Sequence, residues 1–483
     1  MSSFAGPPPL STNPLRKLAT DLLSERAIDV PFPPGETRPN LRRTQRFALN
    51  PLFLLLEAYE RYGPVFTLRI FHANSVFMLG PDANHYMAVS HAANFSWREG
   101  HMGDLIPFLG DGLLTIDGDF HRRSRRVMLP AFHHERVARA IEVMAPEIER
   151  ALAGWREGAR VDLYAWTRRL AMRIAMRALF GLDPDGAAGR INPAALFEQA
   201  LSFYSRDYFL QVLRGPRTPY AQMQAARAEL DGVLFEEIRR RRATGERGED
   251  ILSLLLDATD EDGDHLSEQQ IRDEVVTLLF AGHDTTTSTV AFLFHELALH
   301  PDVVDRLVAE QETVLGERSP QADELMGGQL KELDMALDET LRMYPPAWIG
   351  PRRSIESFEF AGAVVPGGVP VNYCSWASHH LPGVFPDPES FRPERFTPEA
   401  KAALPKGAYV PFGGGSRICI GMRFGQLEVK VIAAKILARF RLELAPGYRL
   451  SVRQMPTIGP RGGMPVIVRE RRRSAGRPLA AAA

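Results

Sequence analysis

The stretch of sequence that decides the fold of this chain is Phe412-Gly413-Gly414-Gly415-Ser416-Arg417-Ile418-Cys419-Ile420-Gly421. Three successive glycines allow a backbone to approach a flat ligand closely and to adopt positive φ angles. A helical pattern follows Gly421, so Cys419 would lie beside the unpaired N–H groups and the positive dipole end of a helix. Both features favour the ionised thiolate, which is the metal-ligating form of cysteine. The alternative for a lone cysteine is a buried structural residue beside a flexible glycine turn.

A polar cluster interrupts a long apolar helical pattern that runs from Val275 to Leu293. The cluster is Ala281-Gly282-His283-Asp284-Thr285-Thr286. Glycine and threonine are locally unfavourable inside a helix, so their presence requires a reason. We predict that the Thr285 hydroxyl bonds back to the carbonyl of Ala281, which tends to bend a helix. Taken alone, the cluster could be no more than a buried kink.

Two charged motifs occur elsewhere in the chain. Glu339-Thr340-Leu341-Arg342 lies on a helical pattern, and residues three apart share a helix face and can pair. By itself this pattern is more often a solvated ion pair. The second motif, His121-Arg122-Arg123-Ser124-Arg125-Arg126, is strongly basic, and such runs are usually a solvated helix face or an anion patch.

In this order and spacing the four motifs resemble those of the cytochrome P450 superfamily, over roughly Pro64 to Val468. The positions that match the haem-binding loop of that family are Phe412, Gly415, Arg417, Cys419 and Gly421. The resemblance implies a mainly α fold with smaller β-sheets, the cytochrome P450 fold. It also implies haem b as cofactor and Cys419 as the metal ligand, and a thiolate ligand favours O–O bond cleavage.

The resemblance assigns roles to the remaining motif residues. Asp284 and Thr285 match the catalytic acid–alcohol pair, so that Thr285 would stabilise bound dioxygen and Asp284 would relay protons, whereas His283 receives no role. The residues implied for cofactor binding are His121, Arg125, Ala281, Arg353, Phe412, Arg417, Cys419 and Gly421. Many members of the family carry Trp where this chain has His121, and the strand arginine is ambiguous between Arg352 and Arg353. A buried ion network that supports the cysteine loop would comprise Glu339, Arg342 and Arg395.

The predicted domain organisation is one haem domain over residues 46–470. A loosely ordered lead-in, residues 1–45, would precede it, and a disordered tail, residues 471–483, would follow. Val65 to Ile70 and Ser75 to Leu79 are typical of strands that pair as a hairpin. The proline-dense stretch from Leu381 to Pro411 indicates irregular coil.

Composition excludes several classes of protein. The net charge is −1, with 58 basic and 59 acidic residues, which gives no support to nucleic acid as a partner. The two cysteines, Cys374 and Cys419, are too few for a disulfide framework or a four-cysteine metal site. We expect Cys374 to be a packed apolar side chain without function. No membrane span is visible, because a span needs about 20 mainly apolar residues and the early candidate, Pro51 to Leu56, is far too short. A cytoplasmic location is therefore expected.

The resemblance implies insertion of one oxygen atom from dioxygen into a lipophilic small molecule, such as a terpenoid, steroid, fatty acid or polyketide. A separate ferredoxin or flavodoxin-type donor with its reductase would supply electrons and dock near Arg423 and Lys430. The candidates for lining the substrate cavity are Phe95, Trp97, Met102, Leu105, Ile106, Phe108, Leu109, Met223, Phe280, Ala281, Trp348 and Ile349. Two alternatives stay open: a haem-thiolate peroxygenase or isomerase that needs no external electrons, and a haem sensor or carrier without turnover.

Overall fold

The computed structural model describes residues 6–185, 192–206, 208–259 and 265–471. Apart from Arg471, the predicted disordered tail lies outside the described residues. The helices of the described chain are α1 (Pro14–Arg26), α2 (Leu41–Leu49), α3 (Pro51–Tyr62), α4 (Pro81–His85), α5 (Ile106–Leu109), α6 (Gly118–Met128), α7 (His134–Arg139), α8 (Ile141–Leu152), α9 (Leu163–Ile174), α10 (Pro193–Leu201), α11 (Tyr208–Gln211), α12 (Pro219–Thr244), α13 (Ile251–Asp257), α14 (Glu268–Leu299), α15 (Pro301–Leu315), α16 (Ala322–Met326), α17 (Lys331–Met343), α18 (Ser375–Ser378), α19 (Pro398–Ala403) and α20 (Met422–Leu437).

The strands are short by comparison with the helices, which confirms the predicted mainly α fold. They are β1 (Gly35–Glu36), β2 (Val65–Ile70), β3 (Ala73–Met78), β4 (Phe95–Ser96), β5 (Arg160–Asp162), β6 (Gly350–Ser354), β7 (Phe358–Phe360), β8 (Ala363–Val365), β9 (Pro370–Tyr373), β10 (Phe440–Leu444), β11 (Val452–Arg453), β12 (Gly459–Pro460) and β13 (Pro465–Glu470).

A sheet in the order β1-β2-β3-β9-β6-β4 forms one side of the molecule. Its centre is the predicted hairpin, in which β2 and β3 pair antiparallel from Val65↔Met78 to Ile70↔Ala73. The turn is tighter than expected, because Phe71 adopts a φ of 56° and β3 begins directly at Ala73. A second sheet has the order β10-β13-β5, and two further pairs are β11-β12 and β7-β8.

Helix α14 is the central element of the helical part. Ser267 begins it with a capping box, in which the Ser267 and Gln270 side chains each satisfy a backbone N–H of the other. Pro301 follows its C-cap, His300. Most of its residues are buried, and it packs against α9, α17 and α20. An apolar helix buried on all sides is what its sequence predicts.

The segment before residue 46 differs from the predicted loosely ordered lead-in, because it contains α1, β1 and the start of α2. The Asn13 side chain caps α1 by accepting the N–H of Leu15 at 3.0 Å. Ion pairs then hold α1 against the sheet, with Glu25 joined to Arg69 at 2.5 Å. These partners are remote in sequence, so the local pattern of residues 1–45 does not reveal them.

The predicted irregular coil from Leu381 to Pro411 contains two short helical elements, a 3-10 helix at Pro393–Phe396 and α19, which the Thr397 side chain caps. Cys374 is buried as expected, and its sulfur accepts the N–H of Ala377 at 3.3 Å at the start of α18. Within the ranges that the structure describes, no helix combines the length and the apolar character that crossing a membrane requires.

Candidate active site

A cavity of about 810 Å³ lies between α14, α6, β6 and the cysteine loop. Cys419 forms part of its wall, as do Phe412 and Arg417 of the same loop. Across from them α14 contributes Ala281 and Thr285. The structure therefore brings the cysteine loop and Thr285 of the acid–alcohol motif to one cavity.

The cysteine loop is held in a tight backbone conformation. The N–H of Cys419 donates to the carbonyl oxygen of Phe412 at 2.9 Å. Gly415 has a φ of 60°, and a Cβ atom there would lie 2.1 Å from the carbonyl oxygen of Ala88. Only glycine fits this position, both for its backbone angle and for the close approach of Ala88. Gly421 ends the loop as the N-cap residue of α20.

The Cys419 thiol faces the cavity, so it is accessible from within the molecule although protein surrounds it. Burial raises the pKa of the Cys419 thiol, while the N–H of Gly421 and the charge of Arg125 lower it. The expected effect of the helix N-terminus is present, but burial outweighs it. A bound metal cation reverses that balance, because a coordinating thiol loses its proton.

Four basic side chains crowd the cavity wall beside the cysteine loop, and they are His121, Arg125, Arg352 and Arg417. Burial and the neighbouring cations Arg417 and Arg125 lower the pKa of His121 to about 3. Burial also lowers the pKa values of Arg352 and Arg417, each to about 10. Within the described parts of the chain, neither Arg125 nor Arg352 forms an ion pair with a carboxylate. Buried cations of this kind require an anion, so the cluster fits a cofactor that carries carboxylates.

Arg352 and Arg353 border the same cavity but have different surroundings on β6. Arg352 is buried, and its guanidinium lies 3.4 Å from the ring centre of Trp97, which also neighbours Arg417. Arg353 pairs instead with Asp21 of α1. Successive residues of a strand point to opposite faces. Of the two arginines, Arg352 is therefore the one that lies in the basic cluster, beside Trp97 and Arg417.

Asp117 organises this cluster, and the sequence interpretation missed it. Its carboxylate accepts the N–H of Trp97 at 3.1 Å and that of Arg98 at 3.0 Å. It also accepts a bond from Arg417 at 2.7 Å. Its position in the sequence could have indicated this role, because Asp117 directly precedes Gly118, the first residue of the basic helix α6.

Asp284 and Thr285 face in different directions. The Thr285 hydroxyl donates to the carbonyl oxygen of Ala281 at 2.7 Å, which confirms the predicted bond, and Thr285 borders the cavity. Asp284 is fully buried behind α14, where it pairs with Arg168 of α9 and accepts a bond from Thr457. Arg453 lies 3.6 Å from the same carboxylate.

These partners determine the charge of Asp284. Burial raises the pKa of Asp284, but the charges of Arg168 and Arg453 outweigh burial and lower it overall. Sequence reasoning missed both arginines, because neither belongs to a motif. The structure therefore holds Asp284 as a buried carboxylate, and its partners Thr457 and Arg453 border the cavity.

The network of Glu339, Arg342 and Arg395 comes together behind the cysteine loop. Arg342 donates to both oxygens of Glu339, at 2.7 and 2.9 Å, and Arg395 donates to Oε1 at 3.3 Å. Arg342 also donates to the carbonyl oxygen of His379 at 3.0 Å. The ring of His379 in turn accepts the N–H of Val410 at 3.0 Å. Through His379 the network reaches the chain that leads into the cysteine loop.

The rest of the cavity wall is mainly apolar. The predicted lining residues that border it are Trp97, Met102, Leu105, Phe280, Ala281, Trp348 and Ile349. Four others are packed in the core instead, and they are Phe95, Phe108, Leu109 and Met223. Ile106 is half-buried and does not border the cavity in the described structure. The cavity is also lined by residues that the sequence analysis did not name, among them Phe77, Leu278 and Phe203.

A thiol and a basic cluster, in which Arg125 and Arg352 have no ion-pair partner among the described residues, lie in one large and mainly apolar cavity. This combination defines a protein built to hold a metal-bearing, anionic cofactor beside an apolar ligand. Comparisons with known proteins agree with that class. The family model described as cytochrome P450 matches residues 33–458.

Individual relatives extend the agreement. The chain is 37% identical over 347 residues to cyclooctat-9-en-7-ol 5-monooxygenase of Streptomyces melanosporofaciens, which covers 71% of this chain and 75% of the relative. It is 31% identical over 340 residues to pentalenene oxygenase of Streptomyces avermitilis, covering 70% and 75%. A solved structure of a retinoic acid-bound cyanobacterial cytochrome P450 superposes with a TM-score of 0.81 at 29% identity, covering 92% of this chain and all of that one.

The chain belongs to the cytochrome P450 family. It is a monooxygenase, an oxidoreductase that uses a haem cofactor, dioxygen, an organic substrate and redox partners.

Proposed function

We propose that this enzyme inserts one oxygen atom into a lipophilic small molecule, with a terpenoid as the favoured substrate class. The observation that carries the proposal is the single cavity that joins the Cys419 thiol, the basic cluster and Thr285 to an apolar wall. Apolar pockets with few polar groups suit lipophilic ligands. Two relatives, the cyclooctat-9-en-7-ol 5-monooxygenase and the pentalenene oxygenase, are named for terpenoid substrates. Steroids, fatty acids and polyketides are the other classes that the wall would accept.

The cofactor in this proposal is haem b within a haem domain of residues 46–470, with Cys419 as the metal ligand. Arg125, Arg352, Arg417 and the neutral His121 would hold the two propionates. These would supply carboxylates to Arg125 and Arg352, which have no ion-pair partner among the described residues. Ala281, Phe412 and Gly421 would border the ring. When bound, haem activates dioxygen so that one oxygen atom enters the substrate and the other leaves as water.

The chain's own residues contribute orientation and proton control. The Thr285 hydroxyl borders the cavity and donates its one proton to the carbonyl oxygen of Ala281. Rotation of the hydroxyl away from Ala281 would let it donate to dioxygen in the cavity. Asp284 would take up protons from the solvent side and pass them towards Thr285. The apolar wall excludes water, which limits the loss of reducing equivalents to side reactions.

The proposed electron donor is a separate ferredoxin or flavodoxin-type protein with its reductase. Arg423, near the start of α20 and close in sequence to Cys419, is exposed and has no ion-pair partner among the described residues. Ile418, next to Cys419 in the loop, is an exposed apolar side chain. The other predicted docking residue, Lys430, is unsuitable, because it pairs with Asp334 and donates to the carbonyl oxygen of Leu325 at 2.8 Å.

The test is turnover of the haem-loaded enzyme on a panel of cyclic terpenoids, steroids and fatty acids, after a screen for ligand-induced spin-state shifts. We expect oxygenated terpenoid products that require NAD(P)H, a reductase and a ferredoxin or flavodoxin. Products formed with peroxide alone at an equal rate would favour the peroxygenase alternative. Ligand binding with no turnover under any electron supply would favour the sensor or carrier.

A further inference from the structure

His283, which the established reaction leaves without a role, is fully buried in α14 beside Asp284. Its Nε2 atom lies 2.7 Å from Oε1 of Glu198 in α10. The contact is close, but its angle is not that of a formed hydrogen bond, and neither ring nitrogen has another partner among the described residues. The ring also packs edge-on against Phe197. A buried imidazole directed at one carboxylate thus adjoins the catalytic acid.

Glu198 connects this pair to Asp284 through Arg168. Arg168 donates from Nε to both oxygens of Glu198, at 3.0 and 2.9 Å, and pairs with Asp284 from Nη1. About a third of the Glu198 side chain is exposed, whereas Asp284 is inaccessible. Glu198 is therefore the solvent end of a chain of charges that ends at Asp284.

Arg168 cannot pass a proton along this chain, because a guanidinium does not lose its proton in proteins. Arg168 pairs with Oδ1 of Asp284, and Thr457 donates to Oδ2. Movement of Arg168 away from Oδ1 would open a position at which a proton from hydronium in bulk water can bind. Glu198 is the group that can hold Arg168 away from Asp284. His283 competes with Arg168 for Glu198, since both face the same carboxylate.

We propose that Glu198 and His283 are positioning residues that set, through Arg168, how readily Asp284 is released to accept a proton. The inference rests on the proposed role of Asp284. In it Glu198 favours release by attracting Arg168, and His283 opposes release by occupying Glu198. The two residues thus act in opposite directions on one step of the reaction.

Two substitutions test these opposite effects. Glu198→Gln removes the competing charge, so Arg168 should stay on Asp284, the solvent isotope effect on turnover should rise, and the peroxide fraction should increase about fivefold. His283→Phe keeps the packing against Phe197 and frees Glu198 for Arg168, so the solvent isotope effect should fall below that of the unmodified enzyme. The double variant should behave like Glu198→Gln, because His283 acts only through Glu198.

A readout that does not depend on turnover accompanies these measurements. Thermal unfolding of the resting haem-loaded protein, measured for both single variants and the double variant, gives the coupling between His283 and Glu198. We expect their effects on the midpoint to be non-additive. Additive effects would show that the two side chains do not interact, and would overturn the proposal.

The control is Glu147→Gln, which removes a carboxylate from Arg173 of the same helix α9, away from Asp284. It should lower stability without changing the solvent isotope effect. Equal isotope effects in Glu198→Gln and His283→Phe would overturn the proposal. Asp284→Asn distinguishes the proposed proton role of Asp284 from the positioning role of Glu198 and His283. If Asp284→Asn leaves proton delivery unchanged, the proposed role of Asp284 is wrong. If only Asp284→Asn slows proton delivery, the positioning role alone is wrong.

Discussion

Thr285 and Asp284 are neighbours in α14, yet of the two only Thr285 borders the cavity. The Thr285 hydroxyl lies 2.7 Å from the carbonyl oxygen of Ala281, while the buried Asp284 carboxylate pairs with Arg168 and accepts a bond from Thr457. Thr457 itself borders the cavity, so one hydrogen bond connects the buried carboxylate to the cavity wall.

Removal of the Thr285 hydroxyl should uncouple electron consumption from product formation. In Thr285→Ala we expect the product formed per NAD(P)H to fall about tenfold, with peroxide or water formed instead, because proton donation contributes factors of this size or more. Product, peroxide and NAD(P)H are measured in the same reaction. The control is Thr287→Ala, whose hydroxyl makes the same kind of bond to His283 at 2.8 Å but is fully buried. Unchanged coupling in Thr285→Ala would remove Thr285 from the mechanism.

Replacement of the proposed metal ligand should abolish the thiolate signature. Cys419→Ala should lose the strongly red-shifted Soret band of the reduced, carbon monoxide-bound protein, together with activity. Cys374→Ala is the matched control, because Cys374 is buried at the start of α18 and should leave the spectrum unchanged. Activity retained in Cys419→Ala would contradict the assignment.

The two arginines of β6 should differ in their effect on cofactor retention. Arg352→Gln removes a buried guanidinium from the basic cluster, so haem affinity should fall about tenfold or more, as expected for a lost charge-assisted hydrogen bond. Arg353→Gln should leave haem affinity intact and loosen only the contact to Asp21 of α1. The rate of haem transfer from each variant to an acceptor protein measures how tightly that variant holds haem. The reverse order of effects would restore Arg353 as the propionate ligand.

Charge reversal on the proposed docking surface should weaken electron transfer in a salt-dependent way. Arg423→Glu should slow reduction by an acidic ferredoxin or flavodoxin several-fold at low ionic strength, and the difference should shrink as salt screens the charges. Stopped-flow reduction at several salt concentrations measures this. If neither the rate nor its salt dependence changes, Arg423 lies outside the docking surface.

Local motifs predicted the parts of the site that lie within one stretch of chain. The cysteine loop, the Thr285–Ala281 bond and the pairing of Glu339 with Arg342 all depend on neighbours in sequence. The partners of Asp284 do not, because Arg168 is 116 residues away and belongs to no motif. The distinction between Arg352 and Arg353 also required the orientation of β6, since a strand reverses its face at each residue.

Helix α1 illustrates the same limit for the fold. Its composition resembled a loose leader, and only one of its residues, Asp21, is buried. Its order depends on charged partners far along the chain, including Arg353 and Arg69. Ion pairs between remote residues leave no periodic signal in the sequence, whereas burial of an apolar face does.

Glu428 of α20 is a buried carboxyl group with an unusual environment. Thr286 donates to its Oε2 at 3.1 Å, and Oε1 has no hydrogen-bond partner among the described residues. Burial raises the pKa of Glu428 from 4.5 to about 8. The folded protein therefore binds this proton more tightly than the unfolded chain does, so the group contributes stability that is fully present below the unfolded pKa. That contribution is lost as the pH rises through the folded pKa.

The prediction concerns the pH dependence of unfolding. Glu428→Gln keeps a neutral side chain at all pH values, so it should lack the loss of stability that the unmodified protein undergoes between about pH 4.5 and about pH 8. The difference should be on the order of a few kcal/mol in the free energy of unfolding. Denaturation of the haem-loaded protein at about pH 5.5 and at about pH 8.5 measures this difference in the free energy of unfolding. The control is Glu443→Gln, an exposed carboxylate of β10 that pairs with Arg469. A parallel pH profile for Glu428→Gln and the unmodified protein would show that Glu428 carries no raised pKa.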